Sequence, residues 1–139
     1  MNYLSVFLAA LGGFVAYFVI GGVGFMLLPG MKVEFAKHPA VYRQGDEIMK
    51  VMPFGMVAMF VSILAMTVIY AFMYREGWGV MQGVQYGALM GVFVLGAFVI
   101  HNYVNLKISM KLTVNSGIAY FIEWLAVGVV ISLIYHPMA

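Results

Sequence analysis

The sequence predicts an all-α membrane protein: four transmembrane helices packed as an antiparallel bundle in one domain, residues 1–139. The first reason is composition. Hydrophobic residues make up 65% of the chain and charged residues 9%, which leaves too little polar surface to cover a soluble domain. The second reason is that four separate apolar stretches reach the roughly 20 residues that a helix needs to cross a bilayer.

The four predicted spans cover residues 3–28, 52–74, 80–105 and 117–135. The first span has no Lys or Arg before an apolar run about twice as long as a signal-peptide core, so we expect a retained membrane helix. The Pro-Gly pair at 29–30 ends this helix. A tight polar turn at 75–79 separates the second span from the third. Residues 107–116 link the third span to the fourth, which Asn115 or Ser116 is expected to cap.

The distribution of basic residues predicts an orientation in the membrane. Six of the seven Lys and Arg residues lie in the first and third loops: Lys32, Lys37, Arg43, Lys50, Lys107 and Lys111. Only Arg75 lies in the second loop. Because cytoplasmic loops carry an excess of Lys and Arg, we expect loops 1 and 3 in the cytoplasm and both termini outside.

Composition and motifs also exclude several classes of function. The chain has no cysteine, which rules out disulfides, CxxC metal knuckles, iron–sulfur ligation and CxxCH haem attachment. A net charge of +2 is too small to predict nucleic-acid binding. No GxSxG, HExxH or Ser/His/Asp arrangement is present, so we predict no catalytic residues and no enzyme activity. The thirteen methionines are scattered, which favours gap-filling over copper ligation.

Small residues predict where the helices meet. Gly83, Gly87 and Gly91 recur every four residues and therefore share one face of the third helix. The first helix carries Gly12 and Gly13. In lipid there is no hydrophobic driving force for helices to associate. Close packing at such small residues must therefore provide the stabilisation. These glycines are predicted to pack either inside the bundle or against a second copy or another subunit.

One buried polar cluster is predicted, formed by Glu123, His101, Asn105 and Tyr120. Glu123 lies about two turns into the predicted fourth helix, roughly 10 Å deep, where a carboxylate is costly. Counted from a loop centred near Lys111, His101 and Glu123 should reach similar depths on adjacent helices. Asn105 is four residues from His101 and therefore lies on the same helix face. Tyr120 is three residues from Glu123 and shares a face with it in the same way. Such a cluster could hold or pass a proton, or it could simply hydrogen-bond two helices together.

We predict no metal site, because Glu123, His101 and Asn105 are an incomplete ligand set. No cofactor is predicted either, with one alternative left open. A haem or chlorin could be ligated by His101 alone within a larger complex. His101 and His136 cannot hold a haem together, because they are predicted at opposite faces of the membrane.

The last span, NSGIAYFIEWLAVGVVISLIY, and the opening MNYLSVFLAALGGF resemble those of small four-helix bacterial membrane families of unknown function. The resemblance extends individually to Gly117, Tyr120 and Gly128. It implies the architecture and no activity. The expected localisation is the bacterial cytoplasmic (inner) membrane. The chain is also similar to small multidrug transporters in size and helix count. Those proteins carry their essential glutamate in the first helix, whereas the first helix here has no charge.

The expected function is that of a small non-catalytic integral membrane protein, a subunit or accessory of a larger membrane complex. One alternative is a small proton-coupled transporter that works as a homo-oligomer through a buried Glu123–His101 pair. Another is a membrane enzyme acting on lipid or quinone. The expected partners are the lipid bilayer and either other membrane subunits or further copies of the chain, without nucleic acid. A cavity at Glu123 would favour the transporter, a headgroup-sized pocket the enzyme, and a dry packed cluster the subunit.

Overall fold

The computed structural model describes residues 2–28 and 30–137, and all the regular elements in these residues are helical. The helices are α1 (Tyr3–Leu27), α2 (Met31–Ala36), α3 (Asp46–Met73), α4 (Val80–Val94), α5 (His101–Asn105) and α6 (Met110–Ile134). A π-helical segment, Leu95–Ile100, joins α4 to α5, so that Val80–Asn105 forms one continuous span. Four helices, α1, α3, Val80–Asn105 and α6, are long and apolar enough to cross a membrane. The predicted fold class is confirmed.

The second span begins earlier than predicted. α3 starts at Asp46, six residues before the predicted boundary. Gly45 precedes it with φ 55°, a backbone conformation that favours glycine. Asp46 and Glu47 then occupy the first turn, where acidic side chains interact favourably with the helix dipole. Pro53 therefore lies inside the helix.

The fourth span also begins earlier, and this shift matters for the site. The Ser109 side chain accepts a hydrogen bond from the backbone N–H of Leu112, so Ser109 is the N-cap of α6. The predicted caps, Asn115 and Ser116, lie inside the helix. The turn between α5 and α6 is consequently short and lies at residues 106–109.

α6 is the central helix of the bundle. It packs against α4 on one side and α1 on another, and α1 in turn packs against α3. The hydrophobic core lies between α1, α3 and α6, with Ala9, Ile63, Val127 and Ile131 completely buried. α2 is a short helix that packs on α6 and α1 at the end of the bundle.

Glycines line the contact between α4 and α6. Gly83, Gly87 and Gly91 are buried and face α6. A Cβ built on Gly87 would lie 2.7 Å from the backbone carbonyl oxygen of Trp124. From the other side, a Cβ built on Gly128 would lie 2.6 Å from the Cα of Gly87. The two backbones are therefore in direct contact, which only glycine permits.

Glycines of α1 contact the same central helix. A Cβ built on Gly12 would meet Val130 and Ile134 of α6. One built on Gly13 would lie 3.2 Å from Ile63 of α3 and 3.3 Å from Val127 of α6. In this monomer, the glycines predicted to pack helices all face neighbours within the bundle.

Aromatic rings gather at the end of the bundle that holds both termini. Tyr70 contacts the rings of four other residues edge-on: Tyr74, Trp78, Tyr86 and Tyr135. The Tyr86 hydroxyl donates to the backbone carbonyl of Met66 at 2.7 Å, which ties α4 to α3. The start of α1 is joined to the end of α6 because the backbone N–H of His136 donates to the Ser5 hydroxyl at 2.9 Å.

The first half of α3 is not packed against the rest of the bundle. Residues 46–58 are all exposed, and the first buried residue of α3 is Ile63. An open cleft lined by Phe25 of α1 and by Ile48 and Val51 of α3 separates the start of α3 from the end of α1. It lies at the end of the bundle opposite the aromatic cluster.

Candidate functional site

Glu123 is buried in the middle of the bundle, with 6% of its surface exposed. It lies thirteen residues after Met110, the first residue of α6, which places it about 20 Å along the helix axis. This position is deeper than predicted, because α6 begins seven residues earlier than the sequence indicated. The side chain faces α1 at Gly21, where a built Cβ would lie 2.8 Å from Oε1 of Glu123. The absence of a side chain at Gly21 makes room for the carboxyl group.

Two tyrosines surround this carboxyl group. The hydroxyl of Tyr17, on α1, interacts with the carboxyl group of Glu123, and Tyr120 lies close to it one turn earlier on α6. The Tyr17 ring also meets Trp124 edge-on, with centroids 5.7 Å apart. Among the described residues, Oε2 of Glu123 has no hydrogen-bond partner. Glu123 also forms no ion pair with any basic side chain in this part of the chain.

A cavity of about 150 Å³ adjoins Glu123. Its lining residues are Gly21, Phe25, Met31, Phe35, Ser116, Ala119, Tyr120 and Glu123. A water molecule occupies roughly 30 Å³ in the liquid, so the cavity is large enough for a few waters or a small solute. Met31 and Phe35 belong to α2, which therefore forms the wall of the cavity at the end of the bundle. We call this space the Glu123 cavity.

α2 is held in place by a second buried carboxylate, Glu34. The Lys37 ammonium donates to its Oε1 at 2.7 Å, and the Ser109 hydroxyl donates to its Oε2 at 2.9 Å. Lys111 lies 3.9 Å from the same carboxylate. The hydrogen bonds from Lys37 and Ser109 hold the pKa of Glu34 below its usual value, and the charges of Lys37 and Lys111 lower it further. Glu34 thus ties loop 1 to the start of α6 and places loops 1 and 3 at the same end of the bundle.

The predicted single cluster of Glu123, His101, Asn105 and Tyr120 is wrong in half of its members. His101 and Asn105 are both exposed. The Asn105 amide donates to the backbone carbonyl of His101 at 2.8 Å and not to another helix. Within residues 2–28 and 30–137, no hydrogen bond or ion pair joins His101 to Glu123. Glu123 and Tyr120 do lie together.

The position of the turn explains this error. The prediction centred the hairpin near Lys111, whereas the observed turn precedes Met110. Gly91 packs against Phe121, so it is Gly91 that lies near the depth of Glu123. His101 is ten residues further along, or about 15 Å closer to the end of the bundle.

Sequence reasoning missed the α1 side of the site, Tyr17 and Gly21. A signal for it was present, because these residues are four apart and therefore share one helix face. A polar ring and a glycine on one face of an otherwise apolar helix can accommodate a carboxyl group from a neighbour.

No group of three or more His, Cys, Asp or Glu residues in the described part of the chain is arranged to hold a metal ion. His101 is exposed. That it ligates a haem or chlorin within a larger complex stays a prediction. Comparison of the chain with protein-family models, curated proteins and solved structures found no match. The resemblance to small four-helix bacterial families therefore also stays a prediction.

Proposed function

We propose that this chain is a small proton-linked membrane transporter in which Glu123 takes up and releases the proton. The observation that carries the proposal is a buried carboxyl group, halfway along a helix long and apolar enough to cross a membrane, with one unpartnered oxygen beside a cavity. An ionised carboxylate inside a membrane needs a cationic partner, a proton or water. Glu123 has no cationic partner among the described residues. Intramembrane carboxyl groups of this kind typically mark ion and proton pathways.

In this conformation, the surroundings of Glu123 leave access from one end of the bundle, and transport requires a second conformation that is open to the other end. On one side, Tyr17 and Trp124 pack together and the hydrophobic core follows, with Val127 and Ile131 fully buried. On the other side, the Glu123 cavity extends to α2. A proton would therefore reach Glu123 from the α2 end, and displacement of α2 would widen the path.

The test compares the wild-type chain with Glu123→Gln in lipid vesicles. Glutamine keeps the size and hydrogen-bonding capacity of the side chain, so a purely structural role should survive. We expect the infrared band of a protonated carboxyl group and the proton flux across the vesicles to depend on Glu123. Glu76→Gln removes the same charge from the exposed turn between α3 and α4 and is the matched control. Equal spectra and fluxes for Glu123→Gln and the wild type would refute the proposal.

The second candidate function is a non-catalytic subunit or accessory of a larger membrane complex, or of a homo-oligomer. A groove of about 550 Å³ between the π-helical segment and α6 favours it. The groove has an almost wholly apolar lining that includes Leu95, Val99, Gly117 and Phe121. π-helical segments are frequent at functional positions, and a partner helix could fit this groove. Mass analysis of the complex in mild detergent would test this, since a lone monomer would argue against it.

We also propose a bacterial cytoplasmic membrane, with loops 1 and 3 on the cytoplasmic side. The support for this orientation is the excess of Lys and Arg in these loops, together with the contact between Glu34 and Ser109 that puts both at one end. Because the chain has no cysteine, single cysteines can be introduced without background. A cysteine at Lys107 should be labelled only from the cytoplasmic side, and one at Glu76 only from outside. The reverse pattern would overturn the assignment.

A further inference from the structure

A second and larger cavity lies at the α2 end of the bundle, outside the Glu123 cavity. It has a volume of about 600 Å³. Its lining residues are Phe25, Lys32, Phe35, Ala36, Val41, Tyr42, Arg43, Gln44, Gly45, Ile48 and Val51. They come from the end of α1, from α2, from the segment before α3 and from the first turns of α3. We call this space the interfacial cavity.

Most of its wall is apolar. On one side, aromatic rings follow one another: Phe25 and Phe35 have centroids 6.0 Å apart, and Phe35 meets Tyr42 edge-on at 4.7 Å. On the other side stand Ile48 and Val51 of α3. Residues 46–58 of α3 are all exposed, and the cavity is itself the open cleft between the start of α3 and the end of α1. Inside a membrane, such a cleft is filled by hydrocarbon chains.

Two cationic side chains line the interfacial cavity: Lys32 and Arg43. Neither forms an ion pair among the described residues, whereas Lys37 and Lys111 both lie against Glu34. A guanidinium group can bind phosphate oxygens through two parallel hydrogen bonds, and a lysine adds a point charge. The combination of two free cations with an apolar cleft fits a molecule that has a phosphate at one end and a hydrocarbon chain at the other.

We propose that the interfacial cavity is a binding site for an anionic phospholipid. Its phosphate lies between Lys32 and Arg43, and one acyl chain runs along Ile48 and Val51 into the cleft. The volume is within the range of small-molecule sites, roughly 300–1,000 Å³, and suits a headgroup with the first part of a chain. The remainder of the lipid stays in the bilayer. This proposal rests on residues other than those of the proton-linked function and stands independently of it.

The experiment measures how many lipids the chain retains, and which ones. Protein in nanodiscs that contain phosphatidylglycerol and phosphatidylcholine is released into the gas phase, and its bound lipids are counted by native mass spectrometry. We expect the wild type to retain phosphatidylglycerol in preference to phosphatidylcholine. Each basic residue near a membrane surface contributes about fivefold to the binding of anionic lipid. Lys32→Gln/Arg43→Gln should therefore bind phosphatidylglycerol about twenty-five-fold more weakly.

The matched control is Lys50→Gln/Lys107→Gln. It removes two positive charges at the same end of the chain from residues that do not line the cavity. A second variant, Ile48→Trp, fills the apolar wall without changing the charge and should also reduce retention. Circular dichroism of each variant shows whether the helices are intact. If the lysine–arginine variant misfolds, Ile48→Trp still decides the question.

Several outcomes would overturn the proposal. Equal retention by the two double variants would mean that general charge attraction, and not this cavity, selects the lipid. If the wild type retained phosphatidylcholine as well as phosphatidylglycerol, the two cations would play no part in selecting the lipid. Displacement of the lipid by inorganic phosphate alone would assign the site to free phosphate. A dimer without bound lipid would mean that a second copy covers the cleft.

Discussion

Gly87→Ala should destabilise the bundle by forcing α4 away from α6. The Cβ of alanine would lie 2.7 Å from the carbonyl oxygen of Trp124 and 2.8 Å from that of Leu125. It would also lie 2.9 Å from the Cα of Leu125. These atoms all belong to the backbone of α6, so no side chain can rotate to make room. Because ordinary contact begins at 3.4 Å, the helices must separate by about 0.7 Å, a shift that weakens many dispersion contacts at once.

The magnitude follows from two opposing effects. Inserting a methyl group into a close-packed interface costs about 1–3 kcal/mol. Replacing glycine by alanine inside a helix returns up to about 1 kcal/mol. We therefore expect Gly87→Ala to lower the free energy of unfolding by about 1–2 kcal/mol. Gly87→Leu should weaken the contact more, since its side chain is larger and the same backbone atoms face it.

The assay is reversible unfolding in mixed micelles with increasing dodecyl sulfate, followed by circular dichroism and tryptophan fluorescence. Trp124 lies at the contact itself and should report the separation of the two helices. Gly22→Ala and Gly55→Ala are matched controls, because nothing lies within 4 Å of a Cβ built at either position. Both should unfold like the wild type or be slightly more stable. If Gly87→Ala falls within about 0.5 kcal/mol of these controls, the reasoning on backbone contact is wrong.

Three further outcomes can be measured with the same preparations. Tyr86→Phe removes the 2.7 Å hydrogen bond to the Met66 carbonyl and should cost about 0.6 kcal/mol in the same titration; no loss would mean that ring contacts alone join α4 to α3. His101→Ala should change the free energy of unfolding by no more than about 0.5 kcal/mol, because His101 is exposed. It should also leave the carboxyl infrared band of Glu123 unchanged. A shifted band would support the predicted pair of His101 and Glu123. The hydrogen bonds from Lys37 and Ser109 lower the pKa of Glu34 in the folded state. The ionised Glu34 therefore stabilises the fold fully when the pH is above 4.5, its usual pKa. This stabilisation is lost as the pH falls through the lower pKa of the folded state. The protection of α2 amides, measured as exchange relative to the intrinsic rate at each pH, should therefore fall at acidic pH in the wild type. In Glu34→Gln this protection should be low at every pH. A loss of protection on acidification in Glu34→Gln would point to another group.

Some features of the site could be read from the sequence and others could not. The burial of Glu123 was predictable, because a carboxylate in an apolar span has to avoid lipid. Its neighbour Tyr120 was predictable from helical spacing. The partner helix was not, because the depth argument placed residues only along the bundle axis and not around it, and it also depended on the turn between α5 and α6. An error of a few residues in that turn moves the opposing residue by several ångströms along the axis.

By itself, the sequence determined the number of spans, their helical character and the glycines on which close packing depends. These properties follow from hydropathy over some twenty residues and from periodicity, both of which are local to each span. Only the tertiary structure decided which helices touch. It made α6 the central helix, turned Glu123 toward Tyr17 and Gly21 of α1, and left the first half of α3 apart from the bundle. The physical reason is that lipid tolerates every face of an apolar helix equally, so that shape complementarity between backbones selects the neighbours. This complementarity depends on two helices together and cannot be read from the sequence of either one alone.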